Sequence, residues 1–167
     1  MASSASASPP ELRPDAGPPA WADGVDLPDV GLVARIMRLN LLVTRFLDAI
    51  TSAEGIATAD YLVLGVVRRS PGRRTSPSRI CEVLGRSTGG MTLTLDRLEG
   101  DGWITRSPDR RDRRRVVVGL TAAGLALSTR VNDALHAWER DLSLPPRRQG
   151  AMARGVDDLL ELFETQA

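Results

Sequence analysis

The 167-residue sequence contains no lysine, one histidine and one cysteine, and only 4% of its residues are aromatic. The single cysteine, Cys81, excludes an internal disulfide and fits a reducing compartment. One histidine and one cysteine are too few ligands for a zinc site. The sequence also lacks a phosphate-binding glycine loop and a nucleophile elbow. We therefore expect neither an enzyme nor a bound cofactor or metal.

Long apolar runs are also missing. No stretch of 18 or more apolar residues is present, so no membrane span is expected. The first residues lack the basic start and apolar segment of a secretory signal. Apolar residues nevertheless make up 42% of the chain. With so few aromatics, the core must be built from Leu, Val, Ile and Ala, which suits packed helices. We expect a cytoplasmic protein.

Positive charge is concentrated in the middle of the sequence. Between Arg68 and Arg115 there are 13 arginines against 6 acidic residues, a net +7, although the whole chain carries only +1. Such an asymmetry predicts a surface that binds a polyanion. All 22 basic residues are arginine, the better bidentate partner of phosphate and guanine. A GC-rich genome would give the same composition.

The N-terminal part divides into an arm and a long helix. Residues 1–27 are rich in Ala, Ser and Pro and are predicted to be a disordered arm, in which Trp21 is the one aromatic side chain. A helix is predicted from about Pro28 to Ile50, with a heptad stripe that requires a partner helix. The stripe consists of Leu32, Ile36, Leu39, Val43, Phe46 and Ile50.

Shorter elements follow the long helix. Caps and breakers predict helices over Thr58–Arg69, from Ser76 to about Leu84 and from Ser87 to about Glu99, then strands over 103–106 and 115–120, and two final helices separated by Pro145-Pro146. The predicted fold is mostly α with a small β-hairpin. It comprises a winged helix-turn-helix DNA-binding domain over residues 58–120 and a helical dimerisation region over 28–57 and 121–167.

The fourth helix has the pattern of a helix that enters the major groove. At about 100° per residue, one face gathers the apolar side chains and the opposite face the polar ones. Hydroxyl groups on the flanks can bond bases or phosphates, and Leu93 can touch a thymine methyl. The predicted buried face comprises Leu84, Met91, Leu95 and Leu98, and the predicted exposed face comprises Arg86, Gly89, Leu93, Asp96 and Arg97, with Thr92 and Thr94 beside it.

The predicted hairpin resembles a DNA-binding wing by its charge. Six arginines and two aspartates lie between Arg106 and Arg115. A narrow minor groove attracts inserted arginine side chains. Asp112 would be repelled by phosphate, so we expect it to pair with a neighbouring arginine and fix its direction. A charged, solvated loop is the alternative interpretation.

Several spaced motifs resemble one family of regulators. Residues 91–99, Met-Thr-Leu-Thr-Leu-Asp-Arg-Leu-Glu, are followed by Gly102-Trp103-Ile104-Thr105-Arg106, a Pro-Asp wing with Asp112-Arg113-Arg114, and Leu120-Thr121-Ala122-Ala123-Gly124. Together they resemble the MarR family of bacterial transcription regulators over about residues 80–124, and the order of helices agrees over about 28–165. The resemblance implies a homodimer, joined by its first and last helices, on a palindromic operator.

The resemblance and the helix geometry together give a set of candidate DNA contacts. Family positions correspond to Ser87, Thr88, Thr92 and Leu93 on the helix. A basic or polar residue is common after the Met-Thr step, and Leu93-Thr94 stands there instead. The full candidate set is Arg86, Ser87, Thr88, Thr92, Leu93, Thr94, Arg97, Arg106, Arg110, Arg111, Asp112, Arg113 and Arg114.

The resemblance also implies a repressor that a small molecule releases from DNA. Many relatives bind phenolic or aromatic acids, so a small aromatic or acidic ligand is expected, with Arg38, Arg45, Tyr61 and His136 as candidate contacts. Two other functions stay open at this point. A winged helix can also bind a protein partner, and it can act as an architectural DNA-binding protein without a ligand. The strength of the salt dependence would separate DNA binding from protein docking.

Overall fold

A computed structural model describes residues 31–109 and 112–165. The predicted arm over residues 1–27, with Trp21, lies outside them. The described chain contains six helices and three strands: α1 (Leu32–Ala53), α2 (Thr58–Arg69), β1 (Arg74–Thr75), α3 (Pro77–Leu84), α4 (Thr88–Gly100), β2 (Ile104–Pro108), β3 (Val116–Leu120), α5 (Ala122–Asp141) and α6 (Pro146–Glu164). The mostly α class with a small antiparallel hairpin is confirmed.

The chain forms two compact units, one ending at Ala134 and the other beginning at Leu135. In the first unit, α2, α3, α4 and the sheet enclose an apolar core. Its side chains are aliphatic, as expected from the scarcity of aromatics, and they include Val63, Leu64, Val67, Ile80, Leu98, Ile104 and Val118. The predicted grouping of α1 with the last helices concerns dimerisation, and it stays a prediction.

Local sequence signals fix the short third helix. Ser76 is its N-cap and accepts a hydrogen bond from the backbone N–H of Arg79 at 3.2 Å, and Pro77 follows at the first helical position. Gly85 ends the helix with φ +60°, a left-handed conformation that glycine adopts without strain. Because both ends are fixed within a few residues, α4 begins after a tight turn, as a helix-turn-helix requires.

The sheet has one strand more than expected. The predicted hairpin is present as β2 and β3, and β1 pairs with the other side of β3, so that the antiparallel order is β1-β3-β2. Arg74 lies opposite Gly119, and Thr75 lies opposite Val118. A two-residue strand shows no alternation of apolar and polar residues, and sequence patterns therefore missed it.

The helix α1 leaves most of its apolar side chains uncovered. Ile50 at its C-terminal end is buried, and Thr51 Oγ1 lies 2.8 Å from Thr58 Oγ1 at the start of α2. Toward the N-terminus, the apolar side chains Leu32, Val33, Met37, Leu39, Leu41, Leu42 and Val43 are exposed. None of the described helices is by itself long and apolar enough to cross a membrane, and α1 and α2 reach that composition only as a pair bent by 86°.

The second unit contains the end of α5 and the whole of α6. Pro146 stands at the first helical position of α6. None of the residues of α6 is buried, and Met152, Val156, Leu160, Leu162 and Phe163 expose large apolar side chains. Like α1, this helix therefore has an apolar surface that the described part of the chain does not cover.

Candidate nucleic-acid interface

The helix α4 presents its polar face to solvent, as its sequence predicts. Met91, Leu95 and Leu98 are buried. Thr92 and Leu93 are exposed, and 70% of the Leu93 surface is accessible. The exposed end of the helix continues into the preceding turn. The exposed residues of this surface include Arg86, Ser87, Thr88, Gly89, Thr92, Leu93 and Asp96.

The prediction that Thr94 contacts DNA is wrong, because its side chain is buried. Its hydroxyl donates to the carbonyl of Gly90 at 3.2 Å. Thr94 precedes Leu98 by four residues and so lies about 40° from it around the helix axis. That rotation brings the side chain onto the edge of the buried face.

The Arg97 side chain is bound within the protein. Its Nε and Nη2 atoms donate to the two carboxylate oxygens of Asp60 on α2, at 2.9 and 2.6 Å. Asp60 is almost completely buried, whereas about half of the Arg97 side chain is exposed. Hydrogen bonding to Asp60, followed by its charge, raises the pKa of Arg97. Arg97 thus has an internal role through its Nε–H and Nη2 groups, and its contact with DNA stays a prediction.

Arg106 is bound in the same way, and its predicted contact with DNA stays a prediction. It lies on β2, and its guanidinium donates to Glu99 through Nε at 2.8 Å and lies 2.7 Å from Asp96. Its backbone N–H also donates to Glu99 at 2.8 Å. The two carboxylates belong to α4, so one arginine joins the helix to the first strand of the wing.

The pKa values of this cluster follow from its hydrogen bonds. Side-chain hydrogen bonds to Glu99 and then to Asp96 raise the pKa of Arg106. The side-chain and backbone hydrogen bonds from Arg106 lower the pKa of Glu99, and they outweigh its desolvation. Glu99 therefore binds a proton less readily in the folded chain than in the unfolded chain.

This shift predicts a pH dependence of stability. The contribution of Glu99 is fully present above the ordinary glutamate pKa of 4.5 and is lost as the pH falls through the lower folded value. We expect wild-type stability to fall more steeply with acidification below pH 4.5 than the stability of Glu99→Gln. Urea unfolding at a series of pH values measures both slopes, and equal slopes would contradict the expectation. Glu82→Gln, at an exposed carboxylate on α3, is the control.

The wing carries exposed arginines on a tightly closed loop. The backbone N–H of Asp109 donates to the carbonyl of Arg115 at 2.8 Å, which closes the loop. Asp112 accepts a hydrogen bond from the backbone N–H of Arg114 at 3.0 Å, and its carboxylate lies 3.4 Å from Nε of Arg115. Asp112 therefore organises the loop, as its charge predicts. Arg113, Arg114 and Arg115 are exposed, and the predicted contacts Arg110 and Arg111 lie outside the described residues.

The four candidate ligand contacts occupy three different places. Arg38 and Arg45 lie together on α1, where they and two leucines line a shallow groove of 300 Å³. Tyr61 is buried in the core of the first unit. His136 is exposed in the second unit, where Nδ1 lies 3.1 Å from a Glu139 carboxylate oxygen. Arg38 and Arg45 thus share a groove, and Tyr61, which belongs to the same unit, does not line it. Among the described residues, no group of three or more His, Cys, Asp and Glu residues could hold a metal ion.

Sequence reasoning missed the acidic partners of the two internal arginines. Asp60, which binds Arg97, lies outside the motifs of DNA binding, and Glu99, which binds Arg106, ends the 91–99 motif but was not predicted as a partner. Asp60 is 37 residues away from Arg97 in the sequence, so spacing does not reveal the pair. The available signal was a single carboxylate, Asp60, immediately before the apolar run 61–67.

The arrangement of α3, α4 and the two-stranded wing, with β1 closing the sheet, defines a winged helix-turn-helix. Comparison with known proteins shows to which family this winged helix belongs. Residues 54–115 match the model described as MarR family. The chain is 34% identical over 122 residues to the HTH-type transcriptional regulator PecS of Dickeya dadantii. The matched region covers 72% of this chain and 74% of that protein. The chain belongs to the MarR family.

Further relatives agree with this assignment. The multiple antibiotic resistance protein MarR of Escherichia coli is 34% identical over 92 residues, covering 55% of this chain and 62% of that protein. The crystal structure of its apo form superposes with a TM-score of 0.67 over 78% of this chain and 97% of that one, at 26% identity. A mutant of the same protein complexed with operator DNA gives a TM-score of 0.60, with 26% identity over 78% of this chain and 99% of that one. The chain is thus a DNA-binding transcription regulator of this family and not an enzyme.

Proposed function

We propose that the protein is a homodimeric, sequence-specific repressor of transcription in the cytoplasm, released from a palindromic operator by a small aromatic or acidic ligand. The observation that carries this proposal is the pairing of an exposed α4 face with an exposed arginine wing on one unit. Helix α4 would lie in the major groove, and the wing would reach the adjacent minor groove. The proposed contacts are Arg86, Ser87, Thr88, Thr92, Leu93, Arg110, Arg111, Arg113 and Arg114.

The uncovered apolar faces of α1 and α6 support a homodimer. Exposed apolar patches larger than a few hundred Å² are rare on monomeric soluble proteins and mark interaction surfaces. Leu39 and Val43, both exposed, belong to the heptad stripe of α1, and such stripes pack against a partner helix. On α6, Val156 and Phe163 are seven positions apart, and both are exposed. A second copy of the chain would supply matching faces under two-fold symmetry.

The groove on α1 supports an acidic ligand. The guanidinium groups of Arg38 and Arg45 are suited to a carboxylate, and Leu41 and Leu42 between them are suited to an aromatic ring. Such a ligand could release DNA only if it binds more tightly to a dimer in which the two α4 helices have a spacing that does not fit the operator. In a homodimer, a site on the dimerisation helix is well placed to change that spacing.

The experiment that tests the proposed function is selection of bound sequences from a pool of random duplexes with the purified full-length chain. A recovered palindrome, with half-site centres about 10 base pairs apart, would support a dimeric sequence-specific regulator. Binding without enrichment would support an architectural DNA-binding protein. Absence of DNA binding at low salt would support a winged helix that docks a protein partner. Light scattering of the free chain measures the dimer independently.

The wing makes a separate prediction. Arg113→Ala and Arg114→Ala should weaken binding to all duplexes and reduce the slope of log affinity against log salt by about 1 for each lost phosphate contact. Titrations of the selected duplex and of a random duplex at several salt concentrations measure both effects. Arg147→Ala and Arg148→Ala remove the same charge from α6, which is not part of the winged helix, and serve as controls. An unchanged slope in the wing variants would show that these arginines do not touch phosphate.

A further inference from the structure

We propose that Leu93 reads the 5-methyl group of a thymine, so that each half-site of the operator carries a thymine facing the centre of α4. This inference rests on the proposed function, because it names a base that the same helix recognises. It makes Leu93 a specificity-determining residue and predicts that the centre of α4 makes no guanine contact through arginine.

The first argument is the position of the leucine. Leu93 is the most exposed large apolar residue among those described, with 70% of its surface accessible. Single exposed leucines are common on protein surfaces and need no explanation. Leu93, however, lies at the middle of the face that α4 turns to solvent, between Gly89 and Asp96. In the major groove, an apolar side chain at that point can meet only one apolar group on a base edge, the methyl of thymine.

The second argument is what its neighbours cannot do. Guanine is read most often by an arginine that donates two hydrogen bonds. Arg97 is the one arginine within α4, and its Nε–H and an Nη2 hydrogen are donated to Asp60. Arg106 is likewise bound by Glu99 and Asp96. A bidentate contact with guanine through Nε and Nη2 of either side chain would therefore require that its ion pair be broken first, which leaves the Nη1 end of the guanidinium for DNA.

The third argument concerns Thr92, the exposed residue beside Leu93. Its hydroxyl donates to the carbonyl of Thr88 at 3.1 Å. The hydrogen of that hydroxyl is thus used within the helix, and the side chain offers DNA its methyl group and an acceptor oxygen. The Thr92 side chain therefore has no hydrogen left to donate to the O4 atom of thymine, and its methyl group adds to the apolar surface beside Leu93.

The test removes one methyl at a time. In the palindrome recovered by selection, each thymine of a half-site is replaced by deoxyuridine, which keeps the hydrogen-bonding edge and lacks only the 5-methyl. We expect one position per half-site at which this replacement weakens wild-type binding about fourfold, and about fifteenfold when both half-sites are changed. For Leu93→Ala, the same replacement should have no effect on affinity. For Leu93→Met, deoxyuridine should again weaken binding.

The controls separate this inference from the proposed function. Leu62→Ala, the same change at an exposed leucine on α2, should keep the full uracil penalty. If a palindrome is recovered but no thymine is sensitive, or if the penalty persists in Leu93→Ala, Leu93 is not the reader and the proposed function is unaffected. If no sequence is enriched at all, both the function and this inference are overturned.

Discussion

Replacing Gly124 with alanine is expected to destabilise the folded chain by about 3 kcal/mol or more, a large share of the stability of a small domain. A Cβ atom on Gly124 would lie 1.9 Å from the carbonyl oxygen of Trp103 and 2.8 Å from its carbonyl carbon. Both atoms belong to the backbone just before β2, so no side-chain rotation relieves the overlap. The start of α5 would have to move away from the sheet.

That movement would break several hydrogen bonds at once. The N–H of Gly124 donates to Thr121 Oγ1 at 3.0 Å, the N-cap bond of α5, and Thr121 Oγ1 in turn donates to the carbonyl of Gly102 at 2.7 Å. The backbone N–H of Thr121 donates to Trp103 at 3.1 Å. This junction explains physically why a threonine and a glycine stand three residues apart at the start of the helix. The glycine allows the close approach, and the threonine joins the two backbones.

Urea unfolding followed by circular dichroism measures the loss, and the midpoint of Gly124→Ala should fall by more than about 1 M. Gly89→Ala is the matched control, since Gly89 is also helical and has no atom within 4 Å of an added Cβ. It should be neutral or stabilise by about 0.5–1 kcal/mol, because alanine is the better helix former. Equal midpoints for the two variants would show that the α5 junction adjusts without strain.

The second large effect is expected from Arg97→Ala. The substitution leaves the buried Asp60 carboxylate without the cation that occupies both of its oxygens. Loss of one partner of a fully buried pair costs about 3–5 kcal/mol. Since half of the Arg97 side chain is exposed, water can partly solvate the remaining carboxylate, and we expect about 2 kcal/mol. Thermal or urea unfolding of the free protein measures this loss without any DNA.

A double-mutant cycle isolates the pair. Asp60→Asn combined with Arg97→Ala should cost less than the sum of the two single changes by about 1 kcal/mol or more, because the double variant no longer buries an unpaired charge. Additive losses would mean that the two side chains do not stabilise each other. If Arg97→Ala weakens DNA binding while the stability of the free chain is unchanged, Arg97 contacts DNA directly and its internal role is wrong.

Much of the fold could be predicted because its signals are local. The Ser76-Pro77 cap, the left-handed Gly85 and the apolar period of α4 each act within one or two turns of chain, and the structure contains all three features. The strand β1 could not be predicted, because its partners Gly119 and Val118 lie more than 40 residues further along the chain. The predicted arm falls outside the described residues, and the structure does not test it.

In the candidate site as well, features set by local sequence could be predicted, and features set by distant residues could not. The exposed positions of α4 follow from helix periodicity, and the charge of the wing follows from composition. Thr94, Arg97 and Arg106 were assigned to DNA from residue type and angle alone. Arginine is suited equally to a phosphate and to a carboxylate, and only the fold shows that Asp60 and Glu99 take the guanidinium groups first. The identity of an arginine therefore did not predict its partner.

The side chains that hold α4 in place and those that we propose as its DNA contacts are different residues, and this separation affects how easily the protein can acquire a new target. Asp60, Arg97 and Arg106 carry the internal ion pairs. Ser87 makes no side-chain cap bond, and Leu93 is surrounded mainly by solvent. Substitutions at these two positions should cost little stability, since surface changes away from such networks usually stay within about 0.5 kcal/mol. A library randomised at Ser87, Thr92 and Leu93 would then remain mostly folded, and the helix could be redirected to other operator sequences without rebuilding its support.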